Sequence, residues 1–201
     1  MERIVYKKNY NAPKINKQEA LRYSGSLASD EALALLDSCI DETRDILSYN
    51  VCCCRFPISI SGNEIDLGFA SVRSHSLSIC LNGCHEIIVF CATVGVGIDR
   101  LIKKYSSLSP SRAVMLHALG SERVEALCDA FCDDILAAER EVGRTVRPRF
   151  SPGYGDLSLE VQGEIFKALD PGKMIGVSLN SSLLMTPEKS VSAIIGIKED
   201  K

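Results

Sequence analysis

The stretch Arg149-Phe-Ser-Pro-Gly153-Tyr154-Gly-Asp156 holds the residue types best suited to gripping a small polar ligand. Arg149 offers a planar fork that matches a carboxylate, and Tyr154 offers a flat face for stacking. Glycines at 153 and 155 permit positive φ and close backbone approach, while Pro152 stiffens the turn, so main-chain groups there can be presented to a planar heterocycle. Taken alone, the same stretch reads equally well as a solvated surface loop.

Three other groupings invite a chemical reading. Glu122, Glu125, Asp129 and Asp133 recur at spacings of three and four, which on a helix gathers like charges on one side at ~0.2 to 0.5 kcal/mol per pair. That row is either a solvated face or one that meets a cationic ligand. Thr93-Val-Gly95-Val-Gly97-Ile-Asp99 has the outline of a phosphate-binding turn, but Arg100 stands where a complete fingerprint carries its third glycine. A glycine-rich strand-to-helix turn is the simpler reading, and a nucleotide-dependent oxidoreductase the bolder one.

The nine cysteines are odd in number and fall under the ~8 to 10% share of disulfide scaffolds. Cys52, Cys53 and Cys54 are consecutive, so on a strand their thiols point to alternate faces and cannot converge on one metal. Cys80 with Cys84 and Cys128 with Cys132 have helix-face spacing, but neither pair is CxxC, and even with His85 beside Cys84 a four-ligand zinc site is incomplete. The expectation is reduced, mostly buried thiols and no metal. His75, His85 and His117 belong to no recognisable acid-base pair or triad, so no catalytic residue is assigned.

These groups sit in a chain of 201 residues with 46% hydrophobic and 24% charged residues, close to the soluble globular average. That length fits one domain able to hold a core without staples. With 23 Lys plus Arg against 26 Asp plus Glu, the net charge of -3 gives no basic field for nucleic acid. The longest apolar run, 87–98, is interrupted by Thr93, Gly95 and Gly97 and falls short of the ~20 residues of a membrane span. No secretory signal is readable at the start, so a cytoplasmic protein without a membrane partner is expected.

Periodicity supplies the elements that position the candidate residues. Apolar spacing predicts a helix over 30–48 opened by Ser29, and strand formers predict a pair over 51–60 and 64–68 around the Ser61-Gly62-Asn63 turn. A short helix over 74–81 and a central strand over 86–93, buried on both faces, follow. A helix over 98–105 precedes a long one starting at Ser109-Pro110, with the serine as cap, proline at the first position and a break or kink near Gly120. A loop over 143–156, a helix over 159–169 and two closing strands over 175–179 and 191–197 complete the chain. Mixed rather than strictly alternating elements favour an α+β fold: one domain over 1–201, a mixed or antiparallel sheet with a long helix and flanking helices, and residues 1–15 available as an N-terminal arm.

The string Arg149-x-x-Pro152-Gly153-Tyr154, followed by a helix and then by Ser181-Ser-Leu-Leu-Met185-x-Pro187-x-x-Ser190-Val191-Ser192, resembles the activation (reactivation) domain of cobalamin-dependent methionine synthase. The resemblance is anchored over residues 121–197. It implies that fold, and an S-adenosylmethionine site in which Arg149 holds the methionine carboxylate and Glu125 meets its ammonium group. The backbone around Ser151, Gly153 and Tyr154 would cradle the adenosine. It also implies a stand-alone form of the domain acting in trans. The partner would be a cobalamin-dependent methionine synthase, or another corrinoid protein, that lacks an activation domain of its own and carries the cobalamin. A flavodoxin-like or ferredoxin-like reductant would supply an electron, and S-adenosylmethionine the methyl group, for a methyltransferase reaction in methionine biosynthesis. The pattern differs on the last strand, where the family carries tyrosines and this chain has Ile194, Ile195 and Gly196. That difference leaves open a non-catalytic module that senses S-adenosylmethionine or docks on a corrinoid protein.

Overall fold

The computed structural model describes residues 4–200, so the first three residues of the expected arm lie outside the described residues. Strand β1 (Tyr6–Tyr10) leads to helices α1 (Lys17–Ser24) and α2 (Asp30–Thr43). Strand β2 (Tyr49–Pro57) runs into a small meander of β3 (Ser59–Ser61), β4 (Glu64–Asp66) and β5 (Ser71–Arg73). Helix α3 (His75–Cys80), strand β6 (Glu86–Thr93), helix α4 (Gly97–Leu108), helix α5 (Pro110–Arg140) and strand β7 (Arg144–Val146) come next. Helices α6 (Val161–Leu169) and α7 (Pro171–Ile175), the two-residue strands β8 (Ser178–Leu179) and β9 (Met185–Thr186), and strand β10 (Ser190–Glu199) close the chain.

The main sheet is antiparallel in the order β1-β2-β6-β10-β7. β6 is its centre because Ile87 to Thr93 are buried on both faces, as a continuous apolar run requires. The pleat sorts side chains into two layers. Cys52, Cys54, Phe56, Ile87, Val89, Cys91 and Ile194 join a core with α3, α6 and the meander. Val51, Ile88, Phe90, Ala193 and Ile195 instead pack under α5 through Val124, Leu127, Cys128 and Phe131. Helices α1 and α2 then pack on the start of α5 through Leu21, Leu36, Leu116 and Leu119. The result is the α+β arrangement expected, in one domain, with no helix among the described residues long and apolar enough to cross a membrane.

Several local expectations need correction. The 30–48 helix stops at Thr43, whose hydroxyl turns back to the Cys39 carbonyl at 2.8 Å. The strands over 51–60 and 64–68 do not pair as one hairpin: β2 stays with the main sheet, and only β3, β4 and β5 form the meander. Helix α5 is unbroken over its 31 residues. Gly120 marks a close approach instead, since a Cβ there would lie 2.9 Å from both Ile98 Cδ1 and the Lys189 stem. Ser109 precedes Pro110 at the predicted start, but its side chain makes no capping bond.

The closing strand over 175–179 is mostly absent. Asp170-Pro171 starts a helical turn with its carboxylate as cap, leaving only β8, which pairs with β9 outside the main sheet. At Gly95, φ is +83° and a Cβ would meet Ser48 Oγ at 2.4 Å, so the glycine serves a close approach, and its N–H is bonded to Thr93 Oγ1 at 3.1 Å. The turn is filled by the chain's own 46–48 segment. Finally, residues 6–10 of the expected arm are the edge strand β1.

Candidate functional site

Residues 144–150 run as an edge beside β10. After β7, Arg147 N–H donates to Gly196 O at 2.8 Å, and Phe150 exchanges two main-chain bonds with Ile194 at 2.8 and 2.9 Å. Antiparallel geometry therefore turns the main-chain groups of Arg149 and Ser151 away from the sheet. Alternation sends the Phe150 ring into the α3 and α6 layer, and Arg149 and Ser151 toward α5.

On α5, Glu125 and Asp129 stand one turn apart and face that edge. Arg149 Nη2 donates to Glu125 Oε2 at 2.6 Å, and Nη1 donates to Asp129 Oδ1 at 2.5 Å. Burial works against the Arg149 charge, but the bonds to Asp129 and Glu125 outweigh it and hold the guanidinium protonated above its ordinary range. Two carboxylates thus share one cation. The acidic row is not one solvated face, because Glu122 is buried and bonded to buried Arg123 at 2.5 Å. That pair clamps the N-terminal segment: Arg123 Nη1 donates to Pro13 O at 2.6 Å, and Asn16 N–H donates to Glu122 Oε1 at 2.9 Å.

The segment after Arg149 is anchored at its far end by Asp156. Its carboxylate accepts Ser74 Oγ at 2.5 Å and the His75 and Ser76 amides at 2.8 and 3.0 Å, closing the start of α3. The Ser74 bond and then the two amides hold this carboxyl far below the usual range. Between the anchors, Gly155 has φ +56° and lies so near Ser76 that a Cβ would sit 2.7 Å from its Oγ. Gly153 N–H is spent on Leu157 O at 2.9 Å and Tyr154 N–H on Ser151 O at 3.2 Å. Tyr154 itself is 69% exposed, with its ring free to cover a ligand.

A hollow of about 570 Å³ lies between α5 and this edge. Of the expected site residues, Glu125, Arg149, Ser151 and Tyr154 line it; Gly153 does not and shapes the turn behind it. Sequence reasoning left out the Val191 and Val146 walls, while Asp133, from the acidic row, lines the same hollow. A second hollow of about 510 Å³ shares Glu125, Asp133 and Arg149 and is bounded by Asn16, Glu19 and Tyr23. The signal for that wall was Asn16-x-x-Glu19: Asn16 Oδ1 accepts the Glu19 amide and caps α1. The last-strand positions 194–196 face elsewhere, Ile194 and Ile195 into the two cores and Gly196 against Cys84 and Leu81.

All nine cysteines are free thiols, and Cys52 and Cys54 face the layer opposite to Cys53. Cys80 ends α3 and Cys84 lies beyond it, so they share no helix face. Among the described residues no three His, Cys, Asp or Glu side chains gather as metal ligands.

No protein-family model and no curated protein sequence matches the chain. Among solved structures, a MetH reactivation domain bound to AdoHcy matches 98% of this chain and 79% of its own, with a TM-score of 0.72 at 17% sequence identity. The curled antiparallel sheet with one long helix across it is therefore the fold of that reactivation domain.

Proposed function

We propose that the hollow between α5 and the 147–154 edge binds S-adenosylmethionine, with Arg149 on the carboxylate and Glu125 on the ammonium of its methionine part. The observation that carries this reading is the Arg149, Glu125 and Asp129 cluster in the hollow's wall. An α-amino acid group brings one charge of each sign. Inserted between Arg149 and Glu125, it replaces their mutual pair with two new ones and leaves neither half-buried charge unmatched. The outward Ser151 amide and the Tyr154 ring remain for the adenosine. The volume lies within the ~300 to 1,000 Å³ of small-molecule sites. The AdoHcy in the neighbouring structure, which is S-adenosylmethionine less its methyl group, supports this ligand class.

The wider role we propose is reductive methylation of an inactive cobalt(II) corrinoid held by a cytoplasmic partner, a cobalamin-dependent methionine synthase or other corrinoid protein. A flavodoxin-like or ferredoxin-like protein would supply the electron. In that reaction one electron reduces the cobalt, the methyl group passes to it and the sulfonium sulfur keeps the bonding pair, so no proton moves. What is asked of this chain is orientation, which alone is worth ~7 to 11 kcal/mol. Absorbance spectroscopy of a corrinoid-loaded partner with reductant and S-adenosylmethionine tests it. Loss of the cobalt(II) band and growth of the methylcobalt band should be faster with this protein than without it, and equal rates would sink the role.

One observation favours a second reading, a binding module without turnover. The last strand presents no hydroxyl at 194–196, where Ile194 and Ile195 are wholly buried. Binding of S-adenosylmethionine with no rate effect on any corrinoid partner is the result that reading requires.

A further inference from the structure

Two arginines of the edge, Arg147 and Arg149, line the same hollow, but they are held differently. Arg149 is bound to two carboxylates. Arg147 has neutral partners: its Nη2 donates to the Asn82 carbonyl at 3.3 Å, it meets the Cys84 thiol, and its Nε is enclosed by protein without a hydrogen-bond partner. Arg112, Arg123 and Arg144, the other buried or half-buried arginines among the described residues, each hold a carboxylate. A guanidinium partly withdrawn from water and left without a counter-charge is costly, and its planar fork matches an oxyanion. Arg147 is thus the uncommitted cation of the hollow's wall.

Resting on the S-adenosylmethionine reading of this site, we infer that Arg147 is a second cation for the ligand's carboxylate, and that through it the site selects ligands with a complete amino-acid group. The fork of Arg149 is already divided between Glu125 and Asp129, whereas Arg147 has one long bond to a carbonyl to give up. Cα atoms two residues apart lie at most about 7 Å from each other, so two arginine arms starting from these points can close on one carboxylate. The segment continues β7, the outermost strand of the sheet, and no further strand stands between these arms and the hollow. With the carboxylate between Arg147 and Arg149, the ammonium stays on Glu125. The turn toward the ligand also takes Nε out of a place where no acceptor meets it.

Calorimetry of wild type and Arg147→Gln with four ligands tests the inference. S-adenosylmethionine and S-adenosylhomocysteine carry the carboxylate, while decarboxylated S-adenosylmethionine and 5′-methylthioadenosine lack it. The variant should bind the first two about two- to five-fold more weakly than the wild type, the range of a partly exposed charge pair. It should bind the last two as the wild type does, which also shows that the hollow has kept its shape. Added salt should narrow the gap between variant and wild type for the first two. Unchanged affinity of Arg147→Gln for S-adenosylmethionine overturns the inference and leaves the binding site standing. An equal loss for ligands with and without the carboxylate overturns it too, since Arg147 then only shapes the wall. Failure of S-adenosylmethionine to bind the wild type overturns both the inference and the reading on which it rests.

Discussion

The guanidinium of Arg149, on the sheet edge, bridges two turns of α5 by donating to Asp129 Oδ1 and Glu125 Oε2 at 2.5 and 2.6 Å. In the proposed S-adenosylmethionine mode, the ligand carboxylate would compete with Asp129 for that fork and bring with it the ammonium for Glu125. Arg149→Ala should weaken S-adenosylmethionine by ~1.5 to 3 kcal/mol, the range for a hydrogen bond to a charged group. Arg149→Lys should not rescue it, because a point charge cannot span two acceptors in one plane. Calorimetry giving equal affinity for wild type and Arg149→Ala removes that role.

The buried pair of Glu122 and Arg123 predicts a large and asymmetric stability effect. Glu122→Ala leaves Arg123, 1% exposed, without its counter-ion and should cost about 3 to 5 kcal/mol in urea unfolding. Replacing both residues, Glu122→Leu with Arg123→Met, should cost less than the single change, because no charge is then stranded. A double variant less stable than Glu122→Ala would show that the clamp on Pro13 and Lys14 outweighs the charge effect.

How far the sequence foretold this architecture depended on whether a residue's surroundings are local. The central strand, the long helix and the chain reversal at residues 61–63 follow from period and turn chemistry, which act within a few residues. Glu122 was misjudged because helical spacing groups it with Glu125 and Asp129, whereas its partners at Asn16 and Arg123 are set by how the N-terminal segment crosses α5. Gly120 suggested a kink because propensity knows nothing of Ile98 and Lys189 arriving from other elements. The convergence of Glu125, Arg149, Ser151 and Tyr154 was legible only through resemblance, since the sheet edge that brings them together spans pairings from Arg144 to Phe150 that no local pattern marks.

The thiols should sort by depth. Cys39, Cys52, Cys54, Cys84, Cys91 and Cys128 are buried, and burial pushes Cys52 up to about 12 and half-buried Cys53 to about 11. Thiolate is the reactive form, so alkylation of native protein at pH 8 should be slow and confined to Cys53, Cys80 and Cys132, with all nine labelled after unfolding. Mass spectrometry showing early labelling of Cys52 or Cys91 would contradict the assignment of these residues to the core.

The Asp156 anchor predicts an acid-sensitive loop. Because the Ser74 hydroxyl and the His75 and Ser76 amides bond the charged form, the folded-state carboxyl titrates well below its ordinary value of 3.8. The folded state therefore binds fewer protons than the unfolded chain in this range. Its contribution is complete above the unfolded value and is lost as pH falls through the lower folded one. Asp156→Asn keeps one acceptor and drops the charge, so its melting temperature should lie below wild type by a constant amount between pH 5 and 8. Toward pH 3 and below, the gap should close as wild type loses the same charge. The loop that Asp156 anchors also carries Tyr154, so the variant should bind S-adenosylmethionine more weakly at pH 7 with Arg149 intact. A melting gap unchanged between pH 7 and pH 3 would mean that the carboxylate contributes shape rather than charge, and the acid sensitivity would then have to come from elsewhere in the fold.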